Sequence, residues 1–168
     1  HSGLYAYARQ PEAVFWALQQ FAGALSLSGE AKQLEAVLAT FPAVYRLALL
    51  DAFLARFGVQ SAGRDADEAM VRAFLAFMQP TQLPWEAAFF DWFGGQASEE
   101  RALAGSRGKR YCGEPFKAWQ EALYQHEPER PERLQGSYFQ SQGPVHTVID
   151  QVEADWAAIA ERDDWGPL

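Results

Sequence analysis

The stretch AKQLEAVLATFPAVYRLALLDAFLARF, residues 31–57, decides the fold class. Leu34, Leu38, Phe41, Tyr45, Ala48 and Ala52 recur every three or four positions, and Leu49, Phe53, Leu54 and Phe57 widen the stripe. That period belongs to a helix, whereas a half-buried strand would alternate every second residue. The width of the stripe predicts a long, deeply packed helix. Pro42 lies inside it and lacks a backbone donor, so it should kink or divide the helix at a cost of roughly 3 kcal/mol. Gly58 supplies the stop.

The same period extends outward on both sides. Pro11 opens a helix carrying Val14, Phe15, Leu18, Ala22 and Leu25, which ends at Ser28-Gly29. Asp65 with Glu68 three residues later resembles a capping pair ahead of Met70, Val71, Phe74 and Leu75, and this helix should stop before Pro80. Pro84 begins an aromatic helix through Phe93, closed by Gly94-Gly95. Residues 105–113 read as a loop, and Pro115 opens a helix with Phe116, Trp119 and Leu123. Residues 126–144, with three prolines and two glycines, read as a surface connection inside a single domain over 1–168. A last helix carries Val145, Val148, Ile149, Val152, Trp156 and Ile159 on one stripe, with Asp150, Glu153 and Asp155 off it. No repeat and no strand-like alternation appears, and the prediction is an all-α, irregular bundle of six or seven helices.

Composition narrows the function. With 49% apolar residues, six Trp, six Tyr and twelve Phe, the 168-residue chain can build a largely aromatic core. Its net charge of -8 offers no general phosphate affinity, so no nucleic-acid partner is expected. The longest uncharged run, Ala13 to Gly29, contains two Gln, two Ser and two Gly, short of what a spanning helix requires, so no membrane partner is expected. Cys112 is the sole cysteine and cannot form an internal disulfide, which favours a reducing, cytoplasmic setting.

Few residues carry a chemical signal. FFDWFGG, residues 89–95, places Asp91 near a Phe-Gly pair, but Trp92 intervenes where a kinase magnesium motif needs Asp-Phe-Gly in succession, and a helix with a glycine stop is the plainer reading. GSRGKR, residues 105–110, gathers Arg107, Lys109 and Arg110 in one loop of an acidic chain. It lacks the spacing of a phosphate loop, so these three are weak phosphate-contact candidates in what reads first as a solvated loop. His1, His126 and His146 are isolated, with no spacing that sets two metal ligands on one helical face. Cys112 lacks a matching base, and Glu99-Glu100 and Asp163-Asp164 read as caps and solvated charge. No catalytic and no metal-ligating residue is assigned.

HSGLYAYARQPEAVFWALQQFAGAL, residues 1–25, resembles the segment just after the catalytic centre in the selenoprotein O family of pseudokinase-fold protein adenylyltransferases. His1, Gly3, Tyr5, Tyr7, Gln10, Pro11 and Trp16 follow the family's order, with Leu4 in place of its Arg and Arg9 in place of its Asn. LARFGV (54–59), DADEAMVRAFLAFM (65–78), FKAWQEAL (116–123) and the closing VIDQVEADWAAIAERDDW (148–165) extend the likeness more weakly.

The resemblance implies the middle and C-terminal helical lobe of a longer, kinase-like protein that transfers AMP from ATP to protein hydroxyls with magnesium or manganese. It places the family's lysine, glutamate and metal-binding Asn and Asp upstream of these residues, so no cofactor is expected within them. It implies an N-terminal kinase-like lobe of the same chain and protein substrates as partners, and self-association where that lobe is missing. The alternative is a free-standing helical interaction domain without catalysis.

Overall fold

The computed structural model describes residues 9–145 and 149–166. Among them the regular structure is helical, in the order α1 (Gln10–Leu25), α2 (Ala31–Leu38), α3 (Phe41–Phe57), α4 (Arg64–Met78), α5 (Trp85–Asp91), α6 (Glu99–Ala104), α7 (Glu114–Leu123), α8 (Ser137–Gln140) and α9 (Ile149–Arg162). An isolated antiparallel bridge joins Val59 to Pro128. The all-α bundle is the architecture that the 3.6-residue period predicts.

The core is organised by α4 and α7. On α4 the buried side chains are Asp67, Met70, Val71, Phe74, Phe77 and Met78, and on α7 they are Phe116, Trp119 and Leu123. Both sets follow the three-and-four spacing that turns one face inward. Phe77 stacks on Trp119 with centroids 5.3 Å apart and planes 6° from parallel. Phe57 from the end of α3 meets Phe74 edge-on at 5.1 Å and Trp119 at 5.5 Å. Phe89 and Trp92 close the cluster, Trp92 meeting Trp119 edge-on at 5.6 Å. Edge-to-face and offset pairs of this kind add about 0.5–1.5 kcal/mol each beyond the area they bury.

The decisive stretch is divided rather than continuous. Pro42 falls in the first turn of α3, where its missing donor costs no helical hydrogen bond, and a turn at residues 39–40 separates α2 from α3. Deep packing holds only for its last turns: Leu50, Phe53, Leu54 and Phe57 are buried, whereas α1 and α2 contain no buried residue. Phe15, Phe41 and Tyr45 stack on one another locally. An 18-residue window within Ala31–Phe57 is also apolar enough to cross a bilayer by length and composition, with a mean hydropathy of 1.6. The uncharged-run criterion passed the stretch over because Lys32, Glu35, Arg46, Asp51 and Arg56 punctuate it.

Three other expectations need correction. α5 stops at Asp91, and Trp92 and Phe93 lie in the turn that follows, held in part by a hydrogen bond from Ser98 Oγ to the Phe93 carbonyl. The capping pair at Asp65 and Glu68 does not form: Gly63 is the cap residue, Glu68 pairs with Arg64, and Asp67 takes the hydrogen bonds from the preceding turn. Along α9, Ile149, Val152 and Trp156 are exposed, and Ala158 is its buried residue among those described. Val148 lies outside the described residues.

The segment after α7 is tied to the core through its backbone. Gln60 N–H donates to the Glu127 carbonyl at 2.8 Å and Glu129 N–H to the Gly58 carbonyl at 2.9 Å. Beyond it, a short 3₁₀ turn (Pro131–Gln135) and α8 place Leu134 and Phe139 against Phe90 and Phe93 as a second apolar cluster.

Candidate functional site

Of the three sequence-predicted contacts, Arg107 is drawn inward while Lys109 and Arg110 stay exposed. Gly108 makes this turn possible: a Cβ there would run into the Leu103 carbonyl, so only glycine lets the loop lie against the end of α6. Arg107 then reaches back to the C-terminal end of α5. Its Nε donates to Asp91 Oδ2 at 2.8 Å and its Nη2 to Asp91 Oδ1 at 2.6 Å, the two-pronged geometry in which a planar guanidinium matches a carboxylate. Tyr111 O–H donates to the same Oδ2 at 2.6 Å.

This cluster is buried enough to matter. The side chain of Asp91 is 8% exposed and that of Arg107 is 24% exposed. The hydrogen bond to Asp91 leads in raising the Arg107 pKa above its ordinary value. Burial, then the hydrogen bond to Asp91, pushes the Tyr111 phenol well upward, because its ionised form would lie dry beside a carboxylate. Arg101 adds a second guanidinium nearby, donating to the Phe90 and Asp91 carbonyls at 2.6 and 2.9 Å, and burial draws its pKa down. The reading of 105–110 as a solvated loop thus fails at Arg107, whose fork is committed to Asp91.

A second buried polar group joins α4 to the end of α7. His126 Nδ1 donates to the Ala122 carbonyl at 3.1 Å, and Nε2 lies 2.9 Å from Asp67 Oδ1. Asp67 also accepts Ser61 Oγ–H at 2.6 Å and Ala62 N–H at 3.1 Å. On α7 and α6, Gln120 donates to Glu99 at 3.1 Å and to Tyr124 at 2.8 Å. Burial and the neighbouring Glu99 push the Tyr124 phenol up to about 12.

The two buried carboxylates suit rigidity rather than proton transfer, since Asp91 and Asp67 each accept three hydrogen bonds or close contacts from their own chain. Among the described residues no group of three or more His, Cys, Asp or Glu side chains is placed to hold a metal ion. Cys112 is exposed. His1 and His146, like Gly3, Leu4, Tyr5 and Tyr7 of the opening motif, lie outside the described residues. Sequence reasoning gave Asp91 and His126 no role and did not single out Asp67. A lone acid inside the apolar run Phe89 to Phe93 was the available signal for Asp91. Nothing in DADEAM singled out Asp67 from its acidic neighbours.

Fold and clusters together define an all-helical scaffold cross-linked by buried charge. The family described as Protein adenylyltransferase SelO matches residues 1–168, and the chain belongs to that family. It is similar to the Protein nucleotidyltransferase YdiU of Gloeobacter violaceus, with 27% identity over 180 residues covering 100% of this chain and 36% of that protein. It is also similar to the protein of the same name from Pseudomonas aeruginosa strain LESB58, with 32% identity over 121 residues, 72% of this chain and 24% of that protein. The chain therefore spans about a quarter to a third of the length of these curated relatives. No solved structure matches it.

Proposed function

We propose that these residues form the helical support of a protein adenylyltransferase that moves AMP from ATP to protein hydroxyl groups with magnesium or manganese. In this reading the nucleotide and metal are handled by a kinase-like lobe elsewhere in the same protein, and the protein substrate meets both parts. The observation that carries the proposal, beside family membership, is the uncovered apolar face of α1–α3. Trp16, Phe21, Val37 and Val44 on these helices, with Leu27 in the turn after α1, are all more than half exposed, apolar surface of the kind a partner covers. A lobe packed on that face would bury it. Lys109 and Arg110, the exposed members of the basic loop, are then the side chains free to meet a phosphate or an acidic substrate.

The test is transfer of labelled AMP by the full-length protein and by this 168-residue chain alone, each with manganese or magnesium. Transfer by the full-length protein only, weakened by Trp16→Asp and Phe21→Asp, is the expected result. The same substitutions should reduce concentration-dependent association of the isolated chain. Transfer by the isolated chain would overturn the division of labour.

A further inference from the structure

A groove of about 560 Å³ opens between the end of α3, α5 and the segment carrying α8. Beneath it lies a buried aromatic layer in which Phe93 and Phe90 each stack on Phe139, at 4.4 and 5.5 Å, and the half-exposed Tyr138 meets Phe90 edge-on at 5.3 Å. Two of its lining residues are arginines whose guanidinium carbons lie over aromatic rings. Arg56 sits 4.7 Å above Phe89, with one Nη donating to Glu86 at 3.1 Å. Arg133 sits 5.1 Å above Phe93, and among the described residues its guanidinium makes no hydrogen bond or ion pair.

A guanidinium held over a ring by cation–π attraction keeps N–H groups for a further partner, and its planar fork matches a carboxylate in two-pronged fashion. The groove lining carries two guanidinia and one carboxylate, a local excess of positive charge on a chain of net charge -8. An anionic partner is repelled by most of this surface and favoured here. A nucleic acid would need a run of phosphate contacts that two arginines around Glu86 do not offer.

We propose that this groove binds a short acidic peptide segment of a partner protein. One carboxylate engages the free N–H groups of Arg133, a second competes with Glu86 for Arg56, and an aromatic or aliphatic side chain between them rests on Tyr138, the half-exposed ring of the lining. The binding is independent of the AMP-transfer reading and is measured without nucleotide.

The probe is a fluorescent hexapeptide with glutamates flanking one tryptophan, measured by anisotropy against the full-length protein. A peptide with glutamine at every glutamate is the control. The glutamate peptide should bind, weaken as salt is added, and weaken about tenfold or more in Arg133→Gln, with partial retention in Arg133→Lys. Glu86→Gln should tighten binding by freeing Arg56, a readout that does not depend on the fold of the arginine variants. Equal binding of the glutamine peptide, indifference to Arg133→Gln in a protein with an unchanged melting curve, or no tightening in Glu86→Gln would each overturn the proposal. So would displacement of the peptide by a single-stranded oligonucleotide that itself depends on Arg133, which would assign the groove to nucleic acid.

Discussion

His126 Nε2 lies 2.9 Å from Asp67 Oδ1, joining the end of α7 to the first turns of α4 across 59 residues of sequence. The His126 side chain is fully buried and that of Asp67 is 7% exposed, so neither group can turn to water if its partner is removed. Asp67→Ala and His126→Ala should each cost about 3–5 kcal/mol, the range for breaking a buried pair from one side. Urea denaturation of both single variants and the double variant checks this. The double variant should lose less than the sum, because the second substitution removes a group whose contact across the pair is already gone. Additive losses would show that the two side chains contribute separately.

Arg107 and Asp91 should behave in the same way at smaller scale, since Arg107 is partly open to solvent. Arg107→Gln should destabilise the chain by roughly 2–3 kcal/mol by leaving a buried carboxylate with Tyr111 as its remaining side-chain donor. Asp91→Asn keeps one acceptor and should cost less. Thermal unfolding separates the two. A neutral Arg107→Gln would mean that this residue is more solvated than its two-pronged contact implies.

Gly58 adopts a left-handed conformation, φ 61° and ψ 40°, at the end of α3. A Cβ there would overlap the ring of Phe93. Gly58→Ala should therefore combine the left-handed penalty of about 1–2 kcal/mol with overpacking of about 1–3 kcal/mol. Pairing it with Phe93→Leu should recover part of the loss in the same denaturation experiment, whereas no recovery would assign the cost to the backbone.

Alkaline pH probes the buried phenols. A tyrosine whose pKa is raised on folding adds stability that is complete below its unfolded value near 10 and is lost as pH rises through its folded value. For Tyr124 that window runs from 10.0 to about 12. For Tyr111 the shift is also upward, so its ionisation opposes folding at high pH. Phenolate absorbance of the folded chain should be the same for Tyr111→Phe and the parent up to about pH 11. A smaller amplitude in Tyr111→Phe would show that this phenol ionises in place.

How much of this was legible in the sequence depended on the kind of interaction. Helix positions followed from local spacing, and Pro42, Gly58 and Pro115 each mark a helix boundary because their backbone chemistry acts within a residue or two. Which apolar stripe would be covered was not legible. The stripes of α1, α3 and α9 look alike in periodicity, yet only the last turns of α3 enter the core, because burial depends on what else is present to pack. The polar clusters were hidden for a related reason. Asp91 meets Arg107 only once the chain has turned back past α6, and Asp67 meets His126 only once α4 to α7 are in place, so neither acid carries a local mark of its partner.

The antiparallel contact of residues 58–60 with 127–129 has a topological consequence. Residues 60–127 therefore form a closed ring fastened at its neck by Gln60, Glu129 and the Val59–Pro128 bridge. Segments attached at such a neck can lengthen, shorten or be exchanged without threading through the ring. The last turns of α3 reach into this ring from outside its neck, and α8 closes on it from the other side, so the neck holds together the places where the flanking segments dock.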